Sequence, residues 1–342
     1  MRRSWLDWLL DTIDRIPGPR GAVYTGALVV WVAFVGIGGY LDQAIEAPWV
    51  SPGMALGVVL GLATLWAMQT LNGAAARAMT TLEPLLTVDA DERARLYDAI
   101  ARTPPMWALV ALIVGAISGI DSVLTTPVSW GVPSGDAPWS MALGLTLGVF
   151  NTTMLMVFVA RLLHQVRVID EMHREAVRVD LARLEPLYGF SSYVARAAIT
   201  LIVVSIGGLT ALAAFLGSFF EFATSDYILF GSLLGVTVIA FVVPTRGLHD
   251  RISDEKDARL GDAHADAAAV RAELGRRIVA GDYEGAGRLN DAISATDATA
   301  VSISRISTWP WRPETLRGFV SAVLLPIALW FVVTLLGRVI PT

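Results

Sequence analysis

The chain has 342 residues, of which 54% are hydrophobic and only 17% charged, and its mean hydropathy is +0.58. That composition excludes an ordinary soluble domain and makes lipid the solvent for most of the chain. The net charge of −5 conceals an uneven distribution whose basic part a membrane surface explains more simply than nucleic acid does, and the absence of Cys excludes disulfide frameworks and thiol chemistry.

The first segment, MRRSWLDWLLDTIDRIPGPR, begins with basic residues, but Asp7, Asp11 and Asp14 interrupt the apolar stretch that a cleavable signal requires. Ser4 with Asp7 is a capping pattern, and Trp5, Leu9, Ile13 and Ile16 with Leu6 form an apolar stripe, so 1–21 reads as an interfacial helix. A bilayer core of about 30 Å needs about 20 apolar residues per helix. Seven runs qualify: 22–41, 52–71, 105–124, 139–163, 197–217, 227–243 and 318–337.

Charge sets the expected orientation. The connections at 42–51, 125–138 and 218–226 hold no Lys or Arg, while the N-terminal segment and the alternate connections hold nearly all 26. Short loops rich in Lys and Arg stay in the cytoplasm. The N terminus is therefore expected inside the cytoplasmic membrane and the C terminus outside, with an acidic outer face that includes Asp42 and Asp121.

The stretch GMALGVVLG, from Gly53, recurs 87 residues later as SMALGLTLG, from Ser140, and another 87 residues on YILFGSLLG keeps the last two glycines. Each copy falls in the second helix of a hairpin, which predicts three pseudo-repeated hairpins. The scrap LEPL, at 82–85 and 184–187, hints at a shared cytoplasmic element, although four residues also match by chance. Gly53, Gly57 and Gly61, then Ser140, Gly144 and Gly148, then Gly231 and Gly235, place small residues on one helix face. Such a face lets another backbone approach closely, or it lines a pathway or a subunit interface.

Leu162, Val166, Ile169 and Met172 extend the fourth apolar run as a rod. Beyond Pro244, an Ala, Asp and Arg-rich tract followed by Gly281 and Asp282 predicts a helical hairpin over 246–308, with the stop and restart at that pair. The chain returns through STWPWRPETLRGF, where Trp309 and Trp311 suit the headgroup region and Arg312 and Arg317 the inner leaflet, and Pro326 predicts a kink. The runs TWPWRPETLRGFVSAVLLP and IPGPRGAVYTG resemble segments of uncharacterised prokaryotic polytopic membrane proteins. That resemblance covers about a tenth of the chain and implies no activity.

The expected fold is thus an all-α polytopic integral membrane protein. Its parts are an interfacial helix (1–21), a membrane domain of three hairpins (22–245, with cytoplasmic segments 72–104 and 164–196), a cytoplasmic hairpin (246–308) and a last span (309–342). Intramembrane polar candidates are Asp121, near the outer surface, and Asn151, Thr152 and Thr153, near the midplane. They read as interhelical hydrogen bonding or as the lining of a polar path. The four histidines read as solvated helix faces, since ligands two apart on a helix diverge.

No metal or cofactor is expected, and the enzyme motifs HExxH, GxSxG, Walker loop and GxGxxG are missing. Expected partners are the bilayer, a second copy of the chain, and a cytoplasmic protein bound through 246–308. A channel-like or transport protein for a small solute or ion is the first functional expectation, by analogy of architecture. A non-transporting scaffold or signalling protein is the alternative.

Overall fold

Backbone polar groups in hydrocarbon have no water to bond, so a membrane-crossing chain satisfies them internally. In a computed structural model, which describes residues 3–42, 52–130, 132, 137–204 and 224–339, the regular structure is helical, with no strand among the described residues beyond one isolated bridge. The helices are α1 (Trp5–Asp14), α2 (Arg20–Leu41), α3 (Pro52–Leu82), α4 (Ala90–Ala101), α5 (Pro105–Thr125), α6 (Pro138–Glu175), α7 (Glu185–Ile202), α8 (Thr224–Ala280), α9 (Tyr283–Ser304) and α10 (Pro313–Val339).

Five stretches among the described residues are long and apolar enough to cross a membrane: Arg20–Leu41, Gly57–Leu85, Ala90–Thr125, Pro138–Met172 and Gly231–Ala280. The third comprises α4 and α5 with a bend between them. Of the other two expected spans, 197–217 falls mostly outside the described residues, and 318–337 lies within α10, which runs unbroken through Pro326.

α5 and α6 form a closely packed hairpin, α3 lies against α6 and α7, and α8 and α10 close the far side against α7. The outward faces are apolar: Val30 and Phe34 on α2, Met106, Val110, Ile113 and Ile117 on α5, and Leu324 and Phe331 on α10 are exposed. α1 docks on the bundle through Leu6, Asp7 and Leu10, and Trp5 Nε1 donates to the Ala108 carbonyl at 3.0 Å. Ile16, assigned to the apolar stripe, is exposed instead. A short helix ending in Ile13-Asp14 cannot carry that residue onto the same surface.

The two LEPL segments do different jobs. Glu83–Leu85 is a 3-10 turn that ends α3, whereas Leu184 precedes the first turn of α7, with Pro186 in that turn. Residues beside each copy do meet, because Thr87 N donates to Ala176 O at 2.8 Å and Arg178 N to Leu85 O at 2.9 Å.

α8 is one helix of 57 residues, about 85 Å at 1.5 Å per residue, with Pro244 inside it. It ends at Gly281, whose φ of 78° is a left-handed conformation that glycine adopts without a Cβ penalty. Asp282 then caps α9 by accepting from Gly285 N at 2.9 Å. α9 runs back along α8, and Arg271 clasps Asp297 across the pair at 2.8 and 3.0 Å.

Candidate functional site

Asn151, Thr152 and Thr153 sit in the N-terminal half of α6, where glycines of α3 and α5 pack against it. The α5 contact is backbone on backbone. A Cβ added to Gly115 would lie 2.4 Å from Thr153 Cα, and one added to Gly119 would lie 2.7 Å from Gly148 O. The single proton of Thr152 Oγ1 is shared between Gly115 O across this seam, at 2.6 Å, and Gly148 O of its own helix, at 2.7 Å. On the other side, Asn151 covers α3: a Cβ on Gly57 would meet Leu147 at 2.9 Å, and one on Gly61 would meet Asn151 Oδ1 at 2.6 Å. Asn151 Oδ1 and Thr153 Oγ1 are buried and accept or donate no hydrogen bond among the described residues.

The small-residue positions thus divide. Gly57, Gly61, Gly144 and Gly148 face neighbouring side chains, Val132 and Val123 in the case of Gly144. Gly231 and Gly235 on α8 have no described atom within 4 Å of an added Cβ. Gly53 lies in the first turn of α3. Gly115 and Gly119, whose segment GAISG carries the same four-residue spacing, are the ones that meet neighbouring backbone closest.

Ser140 belongs to a different device. Asp42, just past α2, accepts from Trp139 N at 3.2 Å and from Ser140 N, so it caps the exposed N–H groups at the start of α6. Partial desolvation raises the Asp42 carboxyl, but hydrogen bonds from the Ser140 backbone and side chain and from Trp139 N–H outweigh it, and the pKa ends below the ordinary 3.8. Stability linked to a depressed carboxyl is complete above its unfolded value and is lost as pH falls through the folded one. The difference in melting temperature between the native chain and Asp42→Leu in detergent is therefore expected to be largest near neutral pH and to shrink below about pH 4. A difference independent of pH would refute the charged cap. Asp121, the other acidic residue expected on the outer face, makes no such cap among the described residues and is exposed on α5.

Trp309 and Trp311 join a ladder of rings that ties the returning chain to α8. His249 stacks on Trp309 with centroids 4.0 Å apart, Trp309 on Trp311 at 4.4 Å, Trp311 on Phe241 at 5.5 Å and Phe241 on Phe319 at 4.0 Å. Lys256 Nζ donates to the carbonyls of Ser304 and Ile306 at 2.7 and 2.9 Å, satisfying groups left open at the end of α9. Arg312 pairs with Glu185 at 2.8 Å, and Arg317 is exposed on α10.

The most buried polar cluster was not anticipated. Arg161 lies at the end of the apolar part of α6, with its side chain 3% exposed. Its guanidinium donates to Thr103 Oγ1 at 2.9 Å, to Asn72 Oδ1 at 2.6 Å and to the Ala101 carbonyl, and it faces Asp7 Oδ1 at 3.6 Å. Asp7 is itself held by the capping box of α1, accepting from Ser4 N at 3.0 Å and Ser4 Oγ at 2.8 Å, and it also accepts from Thr103 N at 3.3 Å.

One turn on, His164 Nε2 meets Ala99 O at 3.0 Å, and Gln165 donates through Nε2 to Ile100 O at 3.0 Å while its Oε1 accepts from the Tyr193 hydroxyl at 2.7 Å. A carbonyl only accepts, so His164 carries its proton on Nε2. Arg161, His164 and Gln165 therefore grip three successive carbonyls at the C-terminus of α4, which the helix itself leaves open. This corrects the reading of His164 as a solvated face. The available signal was three polar residues at i, i+3 and i+4 within an apolar helix.

No protein family, curated protein or solved structure matches the chain. Function must then be argued from the chemistry of these positions.

Proposed function

We propose that the chain is a membrane-embedded scaffold, N terminus in the cytoplasm, whose α8–α9 hairpin carries a docking tip for a cytoplasmic protein. One observation carries this reading. α8 continues roughly 54 Å beyond Val243, and the tip where it turns into α9 presents apolar side chains to solvent: Val279 is 89% exposed and Ile278 49% at the end of α8, and Tyr283 is 74% exposed at the start of α9. Surface hydrophobes grouped at the end of a lever, with polar residues along its length, suit a partner's apolar pocket. The ring ladder and Lys256 fix the base of that lever against the bundle, so force or position at the tip reaches α10 and α7 through packed groups.

The reading is tested by placing a photo-crosslinking residue at Tyr283 in cells that produce the full chain. A discrete heterologous adduct that Val279→Asp abolishes is the expected result. An adduct only to a second copy, or none at all, would reject the cytoplasmic partner.

Transport is the second reading, favoured by the unpartnered Asn151 Oδ1 and Thr153 Oγ1 at membrane depth. Flux in proteoliposomes that Asn151→Leu removes would establish it in place of the scaffold. Seven spans, the triplication and a homo-oligomer across the small-residue faces belong to the same proposal. Their support is the 87-residue register and the close approach of α3, α5 and α6.

A further inference from the structure

Beside the Arg161 cluster, two cavities adjoin. One is a cleft of about 860 Å³ between α4, α5 and α6, lined by Arg95, Arg167, Glu92, Asp98 and Glu171, with Trp107 and His164 at its floor. The other is a groove of about 400 Å³ between α5 and α6, lined by Val110, Val114, Met156, Val159 and Leu163. Trp107 lines both, so the polar cleft passes directly into the apolar groove at one indole. Exposed Met106 and Val110 flank the groove, on a face of α5 that also exposes Ile113 and Ile117.

We infer that this pair of cavities is a binding site for a single phospholipid with a primary-ammonium zwitterionic headgroup. The inference rests on α5 and α6 lying in the membrane and is independent of the scaffold reading.

The shape argues for a lipid. Met106 to Val114 spans about 12 Å of helix, most of the depth of one leaflet's acyl region in a core of about 30 Å. An acyl chain can lie along it while the headgroup stays in the cleft. Indole at the junction of polar and apolar surfaces is the usual place for Trp at a membrane boundary.

The charges argue for the headgroup. Arg95 pairs with Glu92 at 3.2 Å and Arg167 with Glu171 at 2.9 Å, and both arginines are more than two-thirds exposed. Exposed pairs of this kind are worth about 0–1 kcal/mol, so the guanidinium groups can turn to a phosphate, which they match as a two-pronged donor. Turning them releases Glu92 and Glu171 beside Asp98, which Arg102 holds at 2.8 Å. A headgroup bearing only negative charge would then face more carboxylates than guanidiniums. A primary ammonium instead donates up to three hydrogen bonds to those carboxylates, whereas a trimethylammonium donates none.

The experiment uses the purified full chain in nanodiscs of equal parts phosphatidylethanolamine, phosphatidylcholine and phosphatidylglycerol, followed by native mass spectrometry of the lipid retained. The expected result is one retained lipid per chain, with phosphatidylethanolamine enriched at least tenfold over the other two. Arg95→Glu combined with Arg167→Glu should abolish the enrichment, and so should Val110→Trp, which fills the groove without touching the cleft. Arg271→Glu, on the distal hairpin, should leave it unchanged. Equal retention of the three lipids, preference for phosphatidylglycerol, or indifference to Val110→Trp would overturn the inference. Displacement of the lipid by free phosphoethanolamine at matching concentration would overturn it too, because the acyl groove would then contribute nothing.

Discussion

Arg161→Met is expected to cost the folded chain about 3–5 kcal/mol, the range found when one member of a buried ion pair is removed. The loss has several sources that a single substitution triggers together. Asp7 keeps its capping bonds from Ser4 but loses its only described cationic neighbour while 7% exposed. Buried Thr103 Oγ1 and the partly buried Ala101 carbonyl and Asn72 Oδ1 lose a donor. Arg161→Lys retains the charge, but a point ammonium cannot reach Asn72, Thr103 and Ala101 as a planar fork does, and it should recover about half of the loss.

Asp7→Asn should be milder, about 1–2 kcal/mol, because the amide oxygen still accepts from Thr103 N. Guanidinium unfolding in detergent micelles, followed by near-ultraviolet circular dichroism, reads all three variants. If Arg161→Met matched the native chain, α4 would be shown to hold its place without the guanidinium.

Why this cluster was hidden while other features were legible has a physical explanation. Period, spacing and capping are local properties, so the rod of α6, the stop at Gly281 and the restart at Asp282 can be read from neighbouring residues. The capping box Ser4-Asp7 was likewise visible. Its second task was not, since the partner Arg161 stands 154 positions away. An arginine at the end of an apolar run ordinarily extends its head to water, and only the arrival of α4 across α6 turns it inward.

Trp309 and Trp311 show the same limit. Indoles after a hydrophilic tract suit a headgroup region, yet their closest neighbours are rings of α8 and each other. Most of the expected outer connection of the third hairpin, 218–226, and most of the span at 197–217 lie outside the described residues.

Glycines that share the four-residue spacing yield the sharpest contrast, because the spacing alone treats Gly115, Gly61 and Gly235 alike and their described surroundings differ. Gly115→Ala should destabilise the chain by about 2–3 kcal/mol, in the upper range for overpacking. Its new methyl would press on Thr153 Cα and N, which cannot rotate away, and would strain the Thr152 hydrogen bond to Gly115 O. Gly61→Ala should cost less, since the Phe150 ring and the Asn151 amide that it meets can shift.

Gly235→Ala should be neutral or stabilising by up to about 1 kcal/mol, since it improves helix propensity and has no described atom in its way. Between lipid-solvated helices, apolar transfer supplies no net attraction, so association rests on dispersion and hydrogen bonds at close range. A methyl that separates α5 from α6 removes both at once, whereas one at Gly235 displaces no described atom. Thermal denaturation of the three variants in one detergent decides the matter: equal melting temperatures for Gly115→Ala and Gly235→Ala would refute the α5–α6 seam as the element that holds the bundle closed.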